Sequence, residues 1–320
     1  MGEQAAYRQL CSTQASIPLF QQAWWLDATC GEGGWDVVLV RKGEEIHAAL
    51  PFRRRSVRGF VVLSQPALTQ FLGPWMKDTG AKKANDYSRQ KELMTALIEA
   101  LPAHAHYVQS WSPAVTNWLP FYWKGFSQTT AYTYVLPDLT DTEAIWSQFR
   151  ENIRREIRRA QNRAGVTVAA DASLDDFLKL NAQTFERQQK ELPYTADYVR
   201  RLDAACAAHD CRRIFIARDG EGRPHSAAYI VWDAHSAYYL MGGSDPQLRN
   251  SGAMSLCMWE AIRFASGVTR RFDFEGSMIE PVERFFRSFG AEQAPYFRVT
   301  RTPSRLLRAA LAAKSLLKSN

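Results

Sequence analysis

The stretch from Tyr238 to Gly290 constrains the fold most. Residues with strand character, Tyr238 to Met241, run into Gly242, Gly243 and a loop holding Asp245-Pro246. Met254, Met258, Ile262 and Ala265 then recur at helical spacing, with Leu256, Trp259 and Phe264 alongside, which predicts a buried helix. Asn250, Ser251 and Gly252 precede it. Small residues suit a helix N-terminus, where unpaired backbone N–H groups attract an anion. A second strand is expected over residues 271–275, ended by Gly276. A short helix carrying Phe285, Phe286 and Phe289 should stop at Gly290, a residue type favoured just past a helix C-terminus. This order suits an activated donor bearing a phosphate or pyrophosphate, and it also fits other α/β folds.

At 320 residues the chain is long enough for two domains with sizeable cores. A hydrophobic content of 46% excludes a disordered chain. No apolar run reaches the length of a membrane span and no signal peptide opens the chain, so a cytoplasmic location is expected. Cys11, Cys30, Cys206, Cys211 and Cys257 are odd in number and contain no CxxC pair. They are expected to be reduced and mostly buried, with no metal. The net charge of +7 is concentrated in two places. Residues 150–163 hold six arginines against two glutamates, and residues 301–320 hold five basic residues and no acidic one. A surface that coats polyanions generally is therefore not required.

Residues 1–137 are expected to form an N-terminal domain. A helix over residues 19–30 leads to two strands joined at Lys42-Gly43 and a basic cluster of Arg53, Arg54, Arg55 and Arg58. A strand over residues 60–63, a helix over 87–101 and strands over 107–111 and 130–136 follow. His104 and His106 are expected to be an exposed pair, because no further ligands accompany them. Residues 138–300 form the expected second domain. It opens with a helix capped at Asp141 or Thr142 and running to Gly165, with Ile145, Phe149, Ile153 and Ile157 as its apolar stripe. Arg150, Arg154, Arg155, Arg158 and Arg159 cover its other faces. They are either a solvated surface or an arginine comb over an anionic substrate or RNA backbone, in which Arg154 and Arg158 would bind substrate. The elements beyond follow the order β-α-α-β-β-β-α-β-α-β.

That order resembles the GNAT (N-acetyltransferase-type) acyltransferase fold. The stretches ENIRREIRRAQNRAGVTV, YYLMGGSDPQLRNSGAMSLCMWEAI and RFDFEGSMIEPVERFFRSFG resemble the acyltransferase domain of the FemAB-type superfamily, which includes peptidoglycan-bridge aminoacyltransferases. WWLDATCGEGGWDVVLV and LTQFLGPW extend the likeness over nearly the whole chain. The resemblance implies an α/β fold of two tandem GNAT-like domains and transfer of an acyl group to an amine. It implies acyl-CoA (acetyl-CoA) or aminoacyl-tRNA as co-substrate, and a nucleotide- or lipid-linked peptidoglycan precursor as acceptor. Two positions depart from the pattern. Arg249-Asn250-Ser251-Gly252-Ala253-Met254 matches the GNAT pyrophosphate loop except that Met254 takes the last small position. Phe286, followed by Arg287, stands where FemAB-type enzymes often carry a lysine that supports transfer from a charged tRNA.

Amine acylation needs a base and a stabilised oxyanion. No Ser-His-Asp order or HExxH motif is visible. Glu275 is the candidate base, with Asp273 on the same strand face, where paired carboxylates raise a pKa; a structural ion pair of Glu275 with an arginine is the alternative. Backbone N–H groups near Gly242, Gly243 and Ser251 are the candidate oxyanion donors. Arg249, Asn250, Ser251, Gly252 and Arg287 are the candidate donor-binding residues, and aspartate at position 252 is expected to leave the fold intact. The alternative reading is a non-catalytic protein that binds a nucleotide-sugar or RNA. Residues 301–320 form a basic amphipathic tail, with Leu306, Ala310, Ala313 and Leu317 on one face, Leu307 and Leu311 at its edge, and Arg305, Arg308, Lys314 and Lys318 elsewhere. Such a helix either packs on its own domain or lies on the anionic inner face of a membrane.

Overall fold

The computed structural model describes residues 2–31, 33–276 and 278–316. The chain begins with α1 (Glu3–Thr13), α2 (Ala23–Cys30), β1 (Trp35–Lys42), β2 (Glu45–Val57), β3 (Phe60–Ser64) and β4 (Trp75–Met76). It continues through α3 (Lys83–Ala100), β5 (His106–Ser110), α4 (Leu119–Trp123), β6 (Ser127–Leu136), α5 (Thr142–Gln148) and α6 (Glu151–Asn162). Then come β7 (Thr167–Ala170), α7 (Leu174–Arg187), α8 (Ala196–Ala208), β8 (Arg212–Arg218), β9 (Pro224–Trp232) and β10 (Ala237–Ser244). The last elements are α9 (Ala253–Ala265), β11 (Phe272–Asp273), α10 (Glu280–Arg287), β12 (Glu292–Arg301) and α11 (Arg305–Leu316). The class is α/β, as expected.

Two compact units divide the chain, one of residues 1–131 and 295–320, the other of residues 132–294. In the first, β1–β2 and β2–β3 are antiparallel, β3–β5 is parallel, and β12 pairs antiparallel with β5. In the second, β7–β8, β8–β9 and β9–β10 are antiparallel, β10–β11 is parallel, and residues of β6 pair antiparallel with β11. An antiparallel meander, a helix, then a strand parallel to the meander's last strand therefore occurs twice. A parallel pair requires such a crossover. The first unit takes its closing strand from the C-terminal part of the chain, after the whole of the second unit.

The first core joins Phe52, Leu63, Tyr107, Trp111 and Phe121 to the α3 residues Leu93, Met94, Leu97 and Ile98. In the second unit α9 is apolar on nearly every face, and Leu256, Met258, Ala261 and Ile262 are all buried. Burial of each large side chain contributes about 1.5–3 kcal/mol.

The expected helix from Asp141 to Gly165 is two helices. Phe149 and Arg150 are extended, at φ/ψ −61/137° and −59/148°. The Phe149 ring is drawn among Trp146, Trp259 and Phe289, and the Arg150 N–H donates to the Ser288 carbonyl at 2.9 Å. Tertiary packing there outweighs the four-residue apolar spacing. Asp141 is the cap of α5, accepting from the Glu143 and Ala144 N–H groups. Residues 19–30 likewise split into a short 3-10 turn and α2, and α1 lies upstream of every expected element. His104 and His106 are half-buried: His104 Nδ1 lies 2.8 Å from the Pro102 carbonyl and His106 Nδ1 2.9 Å from the Thr302 hydroxyl. In α11, Leu306 is 78% exposed. The expectations for Leu317 and Lys318, and for the side chains of Leu311 and Lys314, lie outside the described residues.

Candidate functional site

β10 and β11 share only two register pairs, Ala237↔Phe272 and Tyr238↔Asp273. β10 continues to Ser244, and its pairing with β9 shifts between Tyr239 and Met241. β11 ends at Asp273, two residues short of the expected strand end. The Asp273 carboxylate explains the stop. Its Oδ1 accepts the Glu275 N–H at 2.8 Å, a local turn that competes with a strand ladder, and Glu275 adopts φ +52°. Gly276 follows because a Cβ there would meet Thr133 Cα at 2.2 Å.

The two carboxyl groups differ in environment. Asp273 is buried, accepts the Thr133 hydroxyl and the Glu275 N–H, and lies 3.9 Å from the Arg271 guanidinium. Burial pushes its pKa up to about 6. Glu275 Oε1 is buried with no hydrogen-bond partner among the described residues. Burial, and then the neighbouring Asp273 charge, raise this carboxyl well above the usual range. Asp273 therefore ionises first and Glu275 is the proton-holding partner. Glu275 forms no ion pair with an arginine among the described residues.

Tyr194 stands close enough for the Glu275 charge to add to its raised pKa, which burial pushes up to about 12. Its hydroxyl donates to Asn181 Oδ1 at 3.2 Å, and Asn181 Nδ2 donates to the Gly242 carbonyl at 2.8 Å. A Cβ at Gly242 would lie 1.7 Å from the Tyr239 hydroxyl, and one at Gly243 would lie 2.5 Å from the Leu180 and Asn181 backbone. These two glycines admit Tyr239 and α7. The Ser251 N–H is also engaged, donating to the Leu248 carbonyl at 3.1 Å.

Arg249, Asn250 and Ser251 form a 3-10 turn before α9. Arg249 and Asn250 are exposed, and Arg249 has no ion-pair partner among the described residues. Gly252 has φ +87°, and a Cβ there would meet the Glu156 carbonyl oxygen of α6 at 2.2 Å. The Ser255 hydroxyl donates to Glu156 Oε2 at 2.6 Å. Gly252 is thus a packing requirement, and the expectation that aspartate would fit is corrected. The Met254 sulfur, at the last small position of the loop pattern, lies 4.0 Å from the Tyr239 hydroxyl.

Arg154 and Arg158 both pair with Glu151, at 2.9 and 3.5 Å, on an exposed face of α6. Arg287 pairs with Glu283 at 2.8 Å, and Glu283 also accepts the Tyr134 hydroxyl at 2.6 Å. Phe286 is buried against Phe274 and Tyr239, so the position of the family lysine is part of the core. The structure brings Asp273 to Glu275 and gathers Arg249 to Gly252; the guanidinium groups of Arg154 and Arg158 pair with Glu151 and that of Arg287 with Glu283.

Sequence reasoning missed His225. It is 4% exposed, with Nδ1 2.9 Å from the Ser251 hydroxyl and Nε2 3.1 Å from Asp219 Oδ2. The available signal was a histidine opening a strand, PHSAAYIVW, that is otherwise almost wholly apolar. Among the described residues no cluster of His, Cys, Asp and Glu is suited to a metal ion.

Residues 147–298 match the family model described as an acetyltransferase (GNAT) domain. No curated protein matches the chain. Among solved structures, FemX superposes with a TM-score of 0.66 at 14% identity, covering 92% of this chain and 95% of its own. The C-terminal domain of a putative lysylphosphatidylglycerol synthetase from Agrobacterium fabrum has a TM-score of 0.58 at 15% identity, with 98% and 97% covered. L-PGS from Bacillus licheniformis has a TM-score of 0.53 at 11% identity, with 89% of each chain covered. The strand that stops at Asp273, the helix that starts at Gly252 and the parallel pair between them all fall within residues 147–298, the stretch that matches the GNAT acetyltransferase domain model, in a fold shared with FemX.

Proposed function

We propose that this chain transfers an acyl group from a coenzyme A thioester to an amine, with Glu275 as the base. One observation carries the reading: a buried carboxylate oxygen without a partner among the described residues, on a left-handed backbone, where two parallel strands part. Such a group is costly to keep and is found where chemistry uses it. The amine arrives as an ammonium, whose charge favours ionised Glu275. On binding of the ammonium Glu275 releases its own proton to solvent and takes one from the substrate; the free amine attacks the thioester carbonyl, the carbon–sulfur bond breaks, and the second N–H proton passes to the departing sulfur, so that a thiol leaves and the acyl group stays on nitrogen. The exposed Arg249 beside the α9 N-terminus, without an ion-pair partner among the described residues, supports binding of the donor's phosphates.

The thioester is preferred to an aminoacyl-tRNA because Phe286 is packed into the core, with no lysine there. As acceptor we propose an amine of a cell-envelope precursor. The support is the fold shared with FemX and with a putative lysylphosphatidylglycerol synthetase. Peripheral contact with an anionic membrane face is proposed for α11, supported by the exposed Leu306 and by the absence of acidic residues from 301 onward.

The test is thiol release from acetyl-CoA with a panel of amines, muropeptide nucleotides included, beside alanyl-tRNA as alternative donor. Glu275→Gln should lower kcat by about 10²–10⁴-fold while acetyl-CoA affinity stays near wild type. Full activity in that variant would refute the base assignment. Ligand binding without turnover would support the non-catalytic reading.

A further inference from the structure

The carboxylate of Asp219 is saturated. Its Oδ1 accepts the Glu221 and Arg223 N–H groups at 3.1 and 2.9 Å, and its Oδ2 accepts Arg223 Nε at 2.8 Å. The hydrogen bond from His225, with further help from Arg223, holds the carboxyl far below the usual carboxylate range. An ionised carboxylate only accepts, so in the neutral imidazole the proton sits on His225 Nε2. Nδ1 is then an acceptor, and the Ser251 hydroxyl must donate to it. The remaining lone pairs of Ser251 Oγ are free to accept, and one takes the Ala253 N–H at 3.3 Å. Three residues from the β8–β9 turn, β9 and the pre-α9 turn thus form one directed chain, Asp219–His225–Ser251, with both of the first two side chains nearly fully buried.

Nothing in this chain requires Ser251 to react. What it does is fix the direction of one hydroxyl, and through it the turn that carries Arg249 into the first N–H groups of α9. A 3-10 turn of three residues is held by one backbone bond, from the Ser251 N–H to the Leu248 carbonyl, and Gly252 behind it is in the left-handed region. The side-chain anchor to β9 adds a second constraint.

We propose that Asp219 and His225 are positioning residues for donor binding, holding the Arg249–Gly252 turn, through Ser251, in the geometry that accepts the anionic part of the donor. This rests on the reading above, in which that turn holds the phosphates of a coenzyme A thioester. Asp219 and His225 touch no substrate; their effect passes through the Ser251 hydroxyl.

The experiment compares Asp219→Asn, Ser251→Ala and the double variant in the full chain. Acetyl-CoA KM and kcat are measured separately, with thermal melting alongside. Asparagine keeps the shape of position 219 but can donate to Nε2, which moves the imidazole proton to Nδ1 and reverses the chain. Each single variant should raise the acetyl-CoA KM by about tenfold, the effect of one hydrogen bond, with kcat within about twofold. The double variant should be no worse than Ser251→Ala alone, because both act along one path. A lowered melting temperature with unchanged KM would mean a structural strap only and would overturn the proposal. Independent, multiplying effects on KM would overturn it too. A wild-type protein that neither binds nor cleaves acetyl-CoA overturns the donor reading and the inference with it. Wild-type turnover with normal KM in both single variants overturns the inference alone.

Discussion

Replacing Asp273 by asparagine should stabilise the protein at neutral pH and leave it little changed in acid. In the unfolded chain an aspartate titrates near 3.8; in the fold Asp273 titrates at about 6 because it is buried. Between those values the native state binds more protons than the unfolded state, so stability falls as pH rises. Stability from this group is full below pH about 4 and lost above about 6, a span of about 3 kcal/mol. Asparagine keeps an oxygen for the Thr133 hydroxyl and the Glu275 N–H and has no charge to bury. The variant's gain should therefore be about 3 kcal/mol larger at pH 7.5 than at pH 4, or roughly 6–12 °C in melting temperature. Urea melts of both proteins at the two pH values measure it. A gain independent of pH, or a loss at pH 7.5, would refute the argument that Asp273 is ionised against its burial. The same variant reports on Glu275. The Asp273 charge helps to hold the Glu275 carboxyl up, so its removal should move the acid limb of kcat/KM to lower pH.

Gly252→Asp should destabilise the second unit by about 2–5 kcal/mol, from a left-handed backbone and from overlap with the Glu156 carbonyl. Urea unfolding checks it, and a wild-type midpoint would show that α6 moves away freely. A chain ending at Thr302 loses Arg305 and Arg308 with the exposed Leu306, and should sediment less with vesicles containing anionic lipid at low salt, each basic residue contributing ~1 kcal/mol near the surface. Equal sedimentation of the two chains would remove α11 from any membrane contact.

The order of elements was legible because the strands and helices of the second unit have their own periodicities, several of them bounded by glycine, as at Gly165, Gly220 and Gly290. Asp273 and Glu275 were legible as a pair because they flank one residue at a strand end. Their geometry was not. Strand alternation placed both on one face, whereas an aspartate side chain stops the strand and turns Glu275 into the left-handed region. The break at Phe149 was hidden because the stripe stays in helical register across it, and only the aromatic pocket formed by Trp146, Trp259 and Phe289 pulls the chain straight. The Asp219–His225–Ser251 chain was hidden for another reason. Its members lie on three elements, and no local spacing records a hydrogen bond between positions 26 residues apart.

The duplicated topology places a second parallel pair in the first unit, and the surroundings of the two pairs differ. After β5 the chain continues into Trp111, which is fully buried and bridges to Leu72. A Cβ at Gly73 would meet the Trp111 indole at 2.5 Å, so the ring presses directly on the neighbouring backbone. The Ser110 N–H is taken by Gln65 Oε1 at 2.6 Å and the Ser110 carbonyl by the Leu72 N–H at 2.7 Å. The gap that opens beyond a parallel pair is there filled by an indole and closed by hydrogen bonds. Beyond β11 the corresponding position holds a turn, a carboxylate oxygen without a partner among the described residues, and a glycine. A filled gap contributes burial and fixes the strands. A buried carboxyl group without a partner among the described residues destabilises its unit. The expectation that follows is a second unit that gains stability when a ligand reaches Glu275.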